Sequence, residues 1–143
     1  MKNIAFFLIC FLLIVSCSKF SSPQDIDTNN ILMIFDNIKI AFAENDLEGI
    51  MQYYSNAFLH NGNNFDDEKT LWEIRLINFT SIEFSDISID FTGNNSAIAH
   101  FEMTLKYYEE EFSWEEPSSE NGDISYFQIE DGKWLLVGNQ QER

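Results

Sequence analysis

Apolar positions first recur at helical spacing. Ile31, Ile34, Phe35, Ile38 and Phe42 fall on one stripe, which predicts a long helix with Thr28 or Asn29 as its cap. Asn45-Asp46 breaks the pattern, and Leu47, Ile50, Met51 and Tyr54 define a short second helix capped by Asp46. Phe58 and His60 share one parity in a brief extended piece, and Asn61-Gly62 turns the chain. Asp66, Asp67 and Glu68 then set negative charge at the positive end of a third helix, predicted to run to about Asn78.

Beyond that point the period becomes two. Ile82 and Phe84 alternate, then Ile87, Ile89 and Phe91 alternate on the opposite parity, so a bulge near Ser85-Asp86 is expected to bend the strand. After the turn Gly93-Asn94-Asn95, a long strand puts Ala97, Ala99, Phe101, Met103, Leu105 and Tyr107 on one face and His100, Glu102, Thr104 and Lys106 on the other. An acidic stretch from Glu109 to Glu120, interrupted by Phe112, Trp114 and Pro117, is expected to be a solvated loop. Two strands close the chain, Ile124 to Glu130 and Lys133 to Val137, joined by the hairpin dipeptide Asp131-Gly132. Three helices followed by a bent antiparallel meander predict an α+β fold in which the sheet wraps over its helices.

The first sixteen residues stand apart. Lys2 precedes an uncharged apolar run from Ile4 to Val15, the pattern of a signal peptide and too short for a spanning helix of roughly 20 residues. Ile14-Val15-Ser16-Cys17 resembles the lipobox of bacterial lipoproteins, which implies cleavage before Cys17 and a palmitate-type acyl chain on that residue. Ser18 in place of an aspartate implies the outer membrane in a two-membrane cell envelope. The expected division is therefore a signal peptide over 1–16, a flexible tether over 17–27 and one domain over 28–143.

Charge and cysteine content narrow the chemistry. The chain carries 24 acidic and 8 basic residues, a formal charge of −16 that becomes −17 once Lys2 leaves with the signal peptide. Such a surface repels phosphate backbones and anionic headgroups, so no nucleic acid partner is expected and lipid must supply membrane attachment. With Cys10 discarded and Cys17 acylated, the mature domain has no thiol for disulfides, thiolate catalysis or zinc.

Ala41 to Tyr54, AFAENDLEGIMQYY, resembles the helix-break-helix signature of the nuclear transport factor 2-like superfamily, and DGKWLLVGNQ at 131–140 is similar to its last hairpin. The resemblance implies a cone-shaped α+β barrel: three N-terminal helices in the concave face of a strongly bent antiparallel sheet, with an apolar cavity at the open end. Ketosteroid isomerases, SnoaL-like cyclases and small dehydratases of that superfamily use a buried acid, histidine or tyrosine there. Other members bind ligands or dimerise, so fold alone does not give function.

Individual residues offer two readings each. Arg75 lies between Leu71 and Phe79 on the helical wheel, so it either pairs with an acid, such as Glu73 or one from the sheet, or clamps an anionic ligand in the cavity. His60 and Tyr54 are the catalytic candidates, His60 for its parity with Phe58. Tyr54, Trp72 and Phe101 either line a cavity or fill a core. His100 is assigned to the outer face of the sheet. The acidic stretch lacks the spacing of a calcium loop, and no metal or cofactor is expected. The leading expectation is a lipid-anchored domain that binds a small apolar or anionic ligand, or a protein partner, without catalysis. The alternatives are a small isomerase, cyclase or dehydratase, and a structural homodimer through the sheet.

Overall fold

The computed structural model describes residues 22–118 and 122–142. The signal-peptide and lipobox assignments, including Cys17, lie outside these residues. Helix α1 spans Pro23–Ala43 and α2 spans Leu47–Met51, with Asp46 accepting from the Gly49 amide as the cap. Strands β1 (Leu59–His60) and β2 (Asn63–Asn64) form a small ladder ahead of helix α3, Phe65–Asn78. The main sheet follows as β3 (Ser81–Phe91), β4 (Ser96–Tyr107), β5 (Glu110–Glu116), β6 (Tyr126–Glu130) and β7 (Lys133–Leu136).

The first helix is capped six residues before Thr28, the earlier of the two caps that the sequence pattern predicts. Ser22 is its cap, accepting from the Asp25 amide while the Asp25 carboxylate accepts from the Ser22 amide, and Pro23 occupies the first turn, where its missing N–H costs nothing. The segment read as the end of a tether is therefore the start of the domain. Periodicity missed it because the first turn is held by capping and buries little.

All pairings in the main sheet are antiparallel, in the order β3-β4-β6-β7, with β5 alongside the second half of β4. The expected bulge is present: the β3–β4 register shifts between Ser85 and Ser88, and Asp86 has φ 55°. It lets Ile82 and Ile89, of opposite parity, both pair with inward-facing residues of β4, Leu105 and Ala99. Sheet curvature brings Phe84, Phe101 and Phe127 onto Phe35 of α1, with ring centroids 5.1, 4.9 and 5.8 Å away.

The acidic stretch differs from expectation, being strand β5 over most of its described length rather than a loop. Trp114 pairs opposite Met103 and Phe112 opposite Leu105, so both aromatics turn to the concave side, while glutamates charge an exposed strand edge. Phe112 reaches Phe79 at the end of α3, 6.0 Å between centroids. The last hairpin is shorter than predicted, since 123–125 form a turn before β6. The C-terminal segment then runs back along 53–62, with the Ser55 amide donating to Leu136, Leu59 to Val137 and Gly62 to Gln141. Gly138 makes the approach possible: at φ 73°, a Cβ there would sit 2.3 Å from the Leu59 carbonyl oxygen.

Candidate functional site

Helix α3 presents a polar face to the interior. Glu68, Trp72 and Arg75, spaced four and three apart, are all buried. Glu68 is the unforeseen member, since the third acid of Asp66-Asp67-Glu68 serves the helix terminus in the sequence reading. In the fold Asn64 caps α3 by accepting from the Asp66 and Asp67 amides, Asp67 completes a reciprocal pair with it, and Glu68 turns inward at 1% exposure.

Arg75 is an ion-paired residue. Its Nη1 donates to Asp123 Oδ2 at 2.7 Å and to Glu68 Oε1 at 3.4 Å, and its guanidinium carbon lies 4.7 Å from the centre of the Trp72 ring. Its partner is not Glu73, which is exposed, but Asp123 from the turn before β6, 48 positions away. The Trp72 indole donates to the Tyr54 hydroxyl at 2.8 Å, and that hydroxyl donates to Glu68 Oε1 at 3.4 Å. One connected network therefore joins α3, the end of α2 and the β6 turn.

Burial sets the protonation of the network. It drives the Glu68 carboxyl well above the usual range, and the Asp123 charge adds to the rise. Burial pushes Asp123 the same way, but Arg75 and Glu68 overcome it and hold Asp123 down at about 2. The Arg75 guanidinium, opposed by burial, is kept above its ordinary value by Asp123 and Glu68. Burial beside Glu68 and Asp123 also holds the Tyr54 phenol protonated. The cluster thus centres on the Asp123–Arg75 ion pair, beside a protonated Tyr54 and a Glu68 carboxyl whose burial favours its neutral form.

A second acid lies nearby. Glu116 is 3% exposed and is lifted to about 7 by burial, against the Trp114 indole donating to its Oε1 at 2.5 Å and the Ser118 amide donating to Oε2 at 3.2 Å. A Cβ on Gly122, at φ 120°, would stand 3.3 Å from the His60 ring and 3.5 Å from Glu116 Oε2. A side chain at 122 would therefore crowd both the imidazole and the carboxylate. His60 itself is buried, with Nδ1 accepting from the Asn139 amide at 3.2 Å and Nε2 3.1 Å from the Asn61 side-chain amide.

Of the aromatic candidates, Tyr54 and Phe101 border surface depressions, Phe101 one of about 380 Å³ shared with His100 and Glu116. Tyr54 joins Met51, Phe65 and Leu135 under a depression of about 490 Å³ rimmed by Glu48, Glu130, Asp131 and Lys133. A second depression of about 350 Å³ shares Gln52, Lys133 and Leu135 with the first, making one groove between α2 and the β6–β7 hairpin. Trp72 and Phe101 are packed in the core at 0% and 4% exposure. His100 lies on the outer face, 3.3 Å from the Asp90 carboxylate. Among the described residues no group of three or more side chains is assembled to hold a metal ion, and no helix is long and apolar enough to cross a membrane.

Comparison with solved structures decides the fold. A nuclear transport factor 2-like protein of Shewanella oneidensis superposes with a TM-score of 0.62 at 17% identity, over 78% of this chain and 95% of its own. This chain has the nuclear transport factor 2-like fold. A second such protein, from Pseudomonas putida, matches with a TM-score of 0.63 at 12% identity, covering 79% of this chain and 83% of the other. A candidate scytalone dehydratase from Novosphingobium aromaticivorans gives 0.57 at 14% identity, with 80% and 82% covered. No family model matches the sequence, and no curated protein matches it significantly. These likenesses define the nuclear transport factor 2-like architecture and leave its use in this chain to the site.

Proposed function

We propose that this chain is a lipid-anchored protein of the bacterial envelope whose cone domain binds a small, mainly apolar ligand, or an apolar part of a protein partner, without catalysis. The observation that carries the binding reading is the groove between α2 and the β6–β7 hairpin, where Met51, Tyr54, Phe65 and Leu135 lie among polar and charged side chains that supply the larger part of its lining. Arg75, the other candidate for holding ligand, is engaged by Asp123 and Glu68, so an anionic ligand would have to displace a buried carboxylate. The anchor rests on Cys17 after the apolar run.

Two measurements test the two halves. Metabolic labelling with a palmitate analogue should mark the wild type and not Cys17→Ser, and label retained by that variant rejects the anchor. Native mass spectrometry of the detergent-extracted protein should find a bound small molecule that Asn56→Trp, an exposed substitution at the groove, expels. A ligand kept by Asn56→Trp, or none in the wild type, rejects the groove.

One observation favours the enzymatic alternative. Glu116, at about 7, exchanges protons near neutrality, and Gly122 packs close to both its carboxylate and the His60 ring, in a fold shared with a candidate dehydratase. On that reading the copurified ligand incorporates deuterium from heavy water in the presence of wild type and not of Glu116→Gln.

A further inference from the structure

Helix α1 buries one face and leaves a distinct second stripe on the opposite side. Ile31, Ile34, Phe35, Ile38 and Phe42 turn inward, whereas Ile26, Met33 and Ile40 are 52%, 58% and 55% exposed. These three are seven residues apart, so they line up nearly along the helix axis over about 21 Å. The positions that share their side of the wheel are Asn29, Asn30 and Asn37, which are uncharged, and Asp36, three residues after Met33 and four before Ile40. In a chain of formal charge −16, a helix side with three exposed apolar residues and a single acid, Asp36, is sparsely charged.

The length of chain before this helix says what lies against it. Ser22 caps α1, and Cys17 is five residues earlier, a reach of at most about 18 Å whatever path those residues take. An acyl chain on Cys17 therefore holds the N-terminal end of α1 at the bilayer surface, within the length of the helix itself. We propose that the outer stripe of α1 lies on the headgroup layer of that bilayer, with Ile26, Met33 and Ile40 turned to the lipid. The proposal rests on the lipidation of Cys17 put forward above. The helix cannot enter further, because its other face is the core of the domain. With three exposed apolar side chains and Asp36 its one charge within the helix, the stripe suits zwitterionic lipid, which does not repel that acid as an anionic surface would.

The cysteine content makes the test direct. Once Cys10 leaves with the signal peptide and Cys17 is acylated, a cysteine introduced at Met33 is the single free thiol. The full lipidated protein, carrying Met33→Cys and a nitroxide label, is reconstituted into phosphatidylcholine vesicles, and flotation reports anchoring. Ile77→Cys, on the exposed side of α3 at 82% exposure, is the reference. The expected result is a several-fold lower collision rate with a water-soluble nickel relaxant at 33 than at 77, retained when the protein is diluted in the bilayer.

Equal accessibility at the two positions in floating vesicles overturns the docking and leaves the anchor standing. Failure to float overturns both. Shielding at 33 that vanishes on dilution means that a second copy, and not lipid, covers the stripe, and this too overturns the proposal.

Discussion

Replacing Arg75 with methionine removes the one cation in the buried network while keeping most of the side-chain volume. Asp123 and Glu68 then face each other without a counter-charge, and the Trp72 ring loses the guanidinium beside it. Removing one partner of a buried pair costs about 3–5 kcal/mol, which leaves the variant folded in a domain of about 5–15 kcal/mol. The pH dependence identifies the cause. In the wild type Asp123 is held at about 2, so its contribution to stability is present above its ordinary value of 3.8 and is lost as pH falls toward 2. Without Arg75, burial dominates and the Asp123 carboxyl rises, so the variant regains stability as pH falls and the acid takes up its proton. Urea denaturation followed by circular dichroism should therefore show the largest gap near neutral pH and a narrower one toward acid, with unchanged m-values. A gap of under about 1 kcal/mol at neutral pH, or one that does not change with pH, refutes the ion pair as the organising interaction.

Three further outcomes are expected. Glu116→Gln should stabilise the protein at alkaline pH by up to about 3 kcal/mol and have little effect in acid, measured by the same denaturation: a carboxyl lifted from 4.5 to about 7 contributes fully below 4.5 and loses that contribution as pH climbs through 7. Gly138→Ala should cost about 2 kcal/mol or more in thermal melting, because it adds a Cβ against the Leu59 carbonyl at a φ of 73°. Ser125→Ala should raise stability by about 1 kcal/mol, since the Ser125 hydroxyl is fully buried with no partner among the described residues.

Much of the architecture is carried by local pattern. The inward stripe of α1, the Asp46 cap of α2, the parity change that marks the β3 bulge and the Asp131-Gly132 hairpin each depend on residues a few positions apart, so periodicity and turn chemistry expose them. Where local signals competed, the reading slipped. Ser22-Pro23 starts α1 by capping in a stretch with no apolar period, and the glutamates of β5 hide an alternation carried by Phe112 and Trp114. Arg75 was legible as an interior residue from its place on the helical wheel. Its partner was not, because Asp123 lies 48 positions away and only closure of the sheet over α3 brings the two together. Glu68 was concealed by its neighbours: three acids open the helix, and the rotation that sends the third inward is set by packing against Tyr54, Trp72 and Arg75. The sequence by itself determined the helices, most of the strand order and the charge, and it alone carries the lipobox-like segment behind the proposed anchor. The tertiary structure alone decided which charges are buried together, because that depends on contacts between segments far apart in the chain and on the low dielectric that those contacts create.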